Sequence, residues 1–111
     1  MLAKKHVISV ERIRLSKKFL KSPKQMERHL KGIANHRRIE ILFLIASNKG
    51  ITVDNIAERL DCNIKTISGH TKRLSEAGLV NKHYLGQAVQ HELSPYGKIL
   101  YEFLRKFQSI H

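Results

Sequence analysis

Positions 52–80 read TVDNIAERLDCNIKTISGHTKRLSEAGLV, and the periodicity of this stretch sets the fold. Its first part places Val53, Ile56, Ala57 and Leu60 at the spacing of one buried helical face. Thr52 stands where its hydroxyl can accept an amide proton that the first helical turn leaves unpaired. Asp61-Cys62-Asn63 breaks the period, and Asn63 suits the N-cap of a second helix with Ile64, Ile67, Thr71 and Leu74 as its inward stripe. Gly78 follows Glu76-Ala77 and supplies the left-handed residue on which helices commonly end. The residues left outside are Lys65, Thr66, Ser68, Gly69, His70, Lys72 and Arg73, a polar and cationic face without acid. A short helix, a three-residue turn and a longer cationic helix make a helix-turn-helix pattern.

The flanking sequence extends it. DCNIKTISGHTKRLSEAGLV resembles the recognition-helix segment of the winged-helix repressors of the arsenic-repressor (ArsR-like) family. Leu30-Lys31-Gly32-Ile33-Ala34-Asn35, followed by Arg38-Ile39-Glu40-Ile41-Leu42, is similar to the "LKALAN…RLRIL" opening of that family. The similarity spans positions 30–93, and the multiple-antibiotic-resistance-repressor type shares the general pattern. The resemblance implies a second helix lying in a DNA major groove, a β-hairpin wing, and dimerisation through the first and last helices. The chain departs from the family at Gly69, where a long polar side chain is usual, and at Thr71 and Arg73, which replace aliphatic residues. A glycine in mid-helix costs about 1 kcal/mol relative to Ala. Gly69 either permits close approach to DNA or marks weak sequence specificity.

Composition bounds the rest. The chain has 111 residues, room for one domain, with 41% hydrophobic and 27% charged residues as in an ordinary soluble chain. A formal charge of +12 favours a polyanionic partner. The charge is skewed: positions 1–38 carry 12 Lys/Arg against 2 Glu, whereas positions 39–111 carry 9 against 7 acidic residues. The basic excess therefore lies ahead of the helix-turn-helix. One cysteine excludes an internal disulfide and agrees with a reducing cytosol. No apolar run reaches the roughly 18 residues of a membrane span, and the N-terminus lacks the apolar core of a signal peptide, so no membrane partner and a cytoplasmic location are expected.

Three segments follow. Positions 1–22 form a basic N-terminal extension, with positions 10–21 compatible with a helix carrying Val10, Ile13 and Leu20 on one side. Positions 23–93 form the winged helix-turn-helix, mainly helical with a small hairpin. Ser22 caps and Pro23 opens a helix reaching about Ile33, with Met26, Leu30 and Ile33 as its apolar stripe. The run IEILFLIAS within 37–47 is apolar almost all round and reads as the central core helix. Ile51-Thr52 suits a short strand beside a hairpin of 79–85 and 88–93, turned at Gly86-Gln87 in type II′ geometry that pairs Val80 with Leu93, Lys82 with His91 and Tyr84 with Val89. Ser94-Pro95 begins the last helix, in positions 94–111, whose apolar positions include Ile99, Leu100, Phe103, Leu104, Phe107 and Ile110.

The candidate sites follow from this layout. Lys65, Ser68 and His70 are placed to read base edges, and Thr66, Lys72 and Arg73 to meet phosphates. Asn63 and Gly69 on the same helix, with Lys82, His83 and Gln87 on the wing, complete the expected DNA-binding set. The last helix's stripe exceeds what one short chain can cover, and the resemblance points the same way. A homodimer is expected through Val10, Ile13, Leu20, Ile99, Leu100, Phe103, Leu104 and Phe107. Members of the family often sense metal through a Cys-x-Cys pair or carboxylate and His pairs on the final helix. Neither occurs here, and Cys62 takes a position where the family places Leu, so no metal or other cofactor is expected. No catalytic constellation is apparent, and the chain reads as a non-enzyme. The expected function is a dimeric, sequence-specific regulator of transcription on duplex DNA, repressing by promoter occupancy and open to an effector of unknown identity. Its rival is a basic protein binding nucleic acid without sequence choice, which the charge skew supports.

Overall fold

The computed structural model describes residues 20–110, and each of its helices begins on a side-chain cap supplied by the residue before it. Ser22 opens α1 (Pro23–Ile33) with a capping box, its hydroxyl 3.2 Å from the Gln25 amide while Gln25 Oε1 accepts from the Ser22 amide at 2.7 Å. Asn35 Oδ1 accepts from Arg37 and Arg38 at the head of α2 (His36–Ser47). Thr52 ends strand β1 (Ile51–Thr52) and caps α3 (Val53–Leu60); Asn63 caps α4 (Ile64–Glu76) through a 2.7 Å bond from Lys65 N. Between α3 and α4, Asp61 takes the left-handed conformation at φ 52°. Strands β2 (Val80–Leu85) and β3 (Ala88–Leu93) precede α5 (Pro95–Gln108), capped by Ser94.

The sheet is antiparallel in the order β1-β3-β2. Val80 pairs with Leu93, Lys82 with His91 and Tyr84 with Val89, the register that the alternation requires. Gly86 has φ +62° while Gln87 does not share its positive φ, as a type II′ turn demands. These elements confirm a mainly helical winged helix-turn-helix. Helix α2 is its centre: Ile41, Leu42 and Ile45 are buried against Ile56 of α3, Ile67 and Leu74 of α4, and Leu79 and Leu93 at the ends of the hairpin. Removing each such side chain from water is worth roughly 1.5–3 kcal/mol.

Four expectations about faces need correction. The stripe of α4 is buried from Ile67 onward, but Ile64, in its first turn, is 53% exposed. On α1 only Ile33 of the expected stripe is buried, while Met26 and Leu30 are exposed and His29 turns inward. The His29 ring sits 4.9 Å from Tyr96, with Nδ1 2.6 Å from the Ala77 carbonyl. A buried hydrogen bond to a distant carbonyl thus takes the place of an aliphatic contact. Helix α2 is buried on one side only; Phe43 is half-buried and meets Tyr101 of α5 edge-on at 5.2 Å. Leu100 and Leu104 of α5, expected at a dimer seam, are half-buried against the chain's own core on the side facing α2, although Leu100 also lines the opening between α1 and α5 beside Ile99. The expected helix at positions 10–21 lies outside the described residues except for Leu20, in a bend, and Lys21, and neither of these is helical.

His91 ties the wing to the body. Its ring is buried, with Nδ1 2.9 Å from the Ile51 carbonyl and Nε2 without a hydrogen-bond partner among the described residues. Protonation would place an unsatisfied N–H⁺ in the interior. Burial therefore lowers the His91 pKa below its usual value of 6.5, the Ile51 bond partly opposes this, and Lys82 adds to the lowering. As pH falls below 6.5, the unfolded chain takes up the proton first, so stability present at neutral pH declines as pH drops through the folded value. The urea midpoint is expected to fall between pH 7.5 and pH 5, and to fall less in His91→Leu. An identical pH dependence in the two proteins would clear His91 of this role.

Candidate nucleic-acid interface

The outer face of α4 is set by what lies beneath it. Ile67, Thr71 and Leu74 are fully buried, and Thr71 Oγ1 donates to the Ser68 carbonyl at 3.0 Å, so the hydroxyl is satisfied within the helix. Lys65, Thr66, Ser68, Gly69, Lys72 and Arg73 are exposed together on the opposite side. Nothing lies within 4 Å of where a Cβ on Gly69 would stand, so the fold does not require glycine there. Asn63 is exposed, but its carbonyl oxygen is engaged in the cap. No Asp or Glu occurs from position 63 to 75; the first acid is Glu76 at the helix end.

His70 departs from the outward position read from the sequence. It is half-buried, its Nδ1 3.4 Å from Nη1 of Arg38 at the start of α2. Burial is the first cause of its lowered pKa, followed by the charges of Arg38, Arg37, His36 and Arg73. His70 is thus a neutral side chain at the edge of the α4 face, in a field of converging cations. The spacing in sequence gave no signal of this contact, since Arg38 lies 32 residues away.

The wing presents a mixed set. Gln87 is exposed at the hairpin tip, and Lys82 is half-buried on the strand pair opposite His91. His83 and Glu92 form a 2.6 Å hydrogen-bonded pair, with Lys49 3.5 Å from the other carboxylate oxygen. The hydrogen bond from His83 holds the Glu92 carboxyl below its ordinary range. His83 and His91 lie on opposite faces of the sheet. Cys62 is half-buried with its Sγ 3.3 Å from the Leu60 carbonyl, packed against the core. Among the described residues no three His, Cys, Asp or Glu side chains gather as metal ligands would, and no helix is long and apolar enough to cross a membrane.

Helices α1 and α5 leave an apolar surface uncovered. Ile99, Phe103 and Phe107 follow one another along α5 at 65%, 58% and 63% exposure, with the two Phe rings stacked at 5.8 Å. They continue into a cleft of about 380 Å³ between the helices, where Met26, Leu30 and Tyr96 meet Ile99. Leu20 is exposed as well, whereas Val10 and Ile13 lie outside the described residues.

Known proteins share this arrangement. The MarR family matches residues 34–83. The transcriptional activator HlyU of Vibrio cholerae is 35% identical over 65 residues, which cover 59% of this chain and 59% of HlyU. The matched segment thus spans well under two thirds of that curated relative. The solved structure of HlyU from Vibrio cholerae superposes with a TM-score of 0.69 at 30% identity, covering 76% of this chain and 91% of that one. A homodimeric winged helix-turn-helix DNA-binding domain from Mycobacterium bovis, a possible ArsR-family transcriptional regulator, matches with a TM-score of 0.72 at 27% identity, over 79% of this chain and 82% of the other. With its capped helix-turn-helix, three-stranded wing and these likenesses, the chain belongs to the winged helix-turn-helix transcriptional regulators of the ArsR/MarR-like type.

Proposed function

We propose that the protein is a homodimeric regulator that binds duplex DNA with sequence choice, laying α4 of each protomer in a major groove. The observation that carries this reading is the acid-free outer face of α4, held rigidly by a fully buried inner stripe. Lys65 and Ser68 reach base edges, with the neutral His70 at their margin. Thr66, Lys72 and Arg73 meet phosphates. Asn63 fixes the start of the helix, and Gly69 leaves bare backbone against the groove. Lys82, His83 and Gln87 follow the neighbouring backbone from the wing. The uncovered apolar stripe of α5, with Leu20 and the segment before it, supplies the two-fold seam. Recognition helices related by that axis enter successive grooves about 34 Å apart.

Promoter occupancy, and so repression, is the simplest mode of action. HlyU of Vibrio cholerae bears the name of an activator, so the operator's place relative to the promoter would set the sign. Binding without sequence choice is the second reading, favoured by the basic excess ahead of α2. Selection of duplexes from a random pool, followed by competition with single-stranded DNA and RNA, separates the two. Lys65→Ala is expected to weaken a selected duplex more than a random one, by a discrimination of about 1–3 kcal/mol. Equal losses on both would remove Lys65 from base reading and favour the second.

A further inference from the structure

We propose that a cationic cleft between α1 and α4, lined by Arg28, Lys31, Arg38 and Arg73, binds the DNA sugar–phosphate backbone beside the groove that α4 enters. The proposal rests on the duplex-binding reading above and gives that partner a second docking surface, to which α1 and α2 contribute Arg28, Lys31 and Arg38 beside Arg73 of the recognition helix.

The cleft exists because α1 and α4 come unusually close. A Cβ on Gly32 would collide with Cβ of Ala77, so glycine at this crossing lets the two helices touch. Their contact leaves a recess of about 320 Å³ lined by Arg28 and Lys31 of α1, Arg38 of α2 and Arg73 of α4. Arg38 is fixed across it: Nε donates to the Gly32 carbonyl at 2.7 Å, and Nη1 lies 3.4 Å from His70. Against these four cations the recess holds one acid, Glu76. None of the three arginines has a carboxylate within ion-pair distance among the described residues; Lys31 has Glu27 at 3.5 Å on the solvent side.

Such a concentration of cations repels itself unless an anion joins it. The first turn of α2 adds Arg37, which pairs with Glu40 at 3.2 Å, and Arg38, which has no such partner among the described residues. The His70 pKa is lowered first by burial and then by the neighbouring charges of Arg38, Arg37, His36 and Arg73, consistent with the same field. The geometry favours a continuous polyanion over a small one. Arg73 belongs both to the cleft and to the outer face of α4, so a backbone following α4 runs directly into the recess. The guanidinium groups suit phosphate oxygens through paired N–H donors.

The test uses the full chain with Arg28→Gln and Lys31→Gln together, which spares the structural bonds of Arg38. Affinity is measured from low to moderate salt on a selected duplex and on a random duplex. Each lost phosphate contact flattens the slope of log affinity against log salt by about 0.9. The expected result is a slope shallower by one to two such steps, an equal loss on both duplexes, and an unchanged ratio between them. Lys98→Gln with Arg105→Gln on α5 removes the same charge elsewhere and should leave the slope nearly intact. Ethylation of a single phosphate flanking the site should hinder the native chain and no longer hinder the Arg28/Lys31 variant. An unaltered slope, or an equal flattening by the α5 control, overturns the cleft while leaving duplex binding in place. A native chain that fails to bind any duplex overturns both.

Discussion

Phe103→Asp is expected to convert the protein to monomers at micromolar concentration and to lower its affinity for a two-half-site duplex on the order of 10²–10⁴-fold, the gain that linking two binding modules supplies. Phe103 is the centre of the stripe that α5 leaves uncovered, flanked by Ile99 one turn before and stacked on Phe107 one turn after. In a self-complementary seam a new carboxylate would meet its own copy near the two-fold axis, adding like-charge repulsion to the cost of desolvation. The protomer should tolerate the change, because the side chain is exposed and the inner side of α5, Leu100 and Leu104, carries its packing. Sedimentation gives the oligomeric state, and circular dichroism shows whether the fold persists. A folded variant that remains a dimer would move the seam away from α5.

The elements were legible in the sequence because their ends are written in local chemistry. Thr52, Asn63 and Ser94 all cap the helices expected of them, and the Gly86 turn fixes the hairpin register residue by residue. Such signals act over three or four positions, within the reach of a spacing argument. Faces were harder. Periodicity finds the apolar side of α1 or α5 but cannot say whether the chain itself covers it. Met26 and Leu30 satisfy a helical stripe and are exposed, while His29 is buried through a carbonyl 48 residues away.

The same limit governs the candidate site. The polar face of α4 followed from its own sequence, since its buried stripe determines what remains outside. The inward turn of His70 and the gathering of Arg28, Lys31 and Arg38 beside Arg73 depend on how α1, α2 and α4 cross. Only the net charge hinted at them: Arg28, Lys31 and Arg38 belong to the basic excess of positions 1–38, which composition revealed without saying where it would point.

That excess also sets the second large effect. Changing Lys4, Lys5, Lys17 and Lys18 together to Gln is expected to flatten the salt dependence of duplex binding by two or more units in the logarithmic slope. These lysines lie outside the described residues, and the expectation rests on charge alone. Positions 1–38 hold 12 of the chain's 21 Lys/Arg and only 2 of its 9 acidic residues. The described cleft involves Arg28, Lys31 and Arg38 from that count, leaving the lysines of the first 18 positions as a separate reservoir. Four contacts at about 0.9 each would account for roughly 3.6 units if all were made, so a change of two tolerates partial engagement. Truncation would confuse the result, because deleting positions 1–21 also removes Val10, Ile13 and Leu20 from a seam they are expected to join. Neutralisation keeps the apolar residues and the chain length. With the dimer verified by sedimentation, the ranking of DNA sequences should stay as in the native protein, since phosphate contacts carry no base information. A slope that does not move would mean that the basic N-terminal segment faces solvent, and that duplex affinity arises wholly within the folded body.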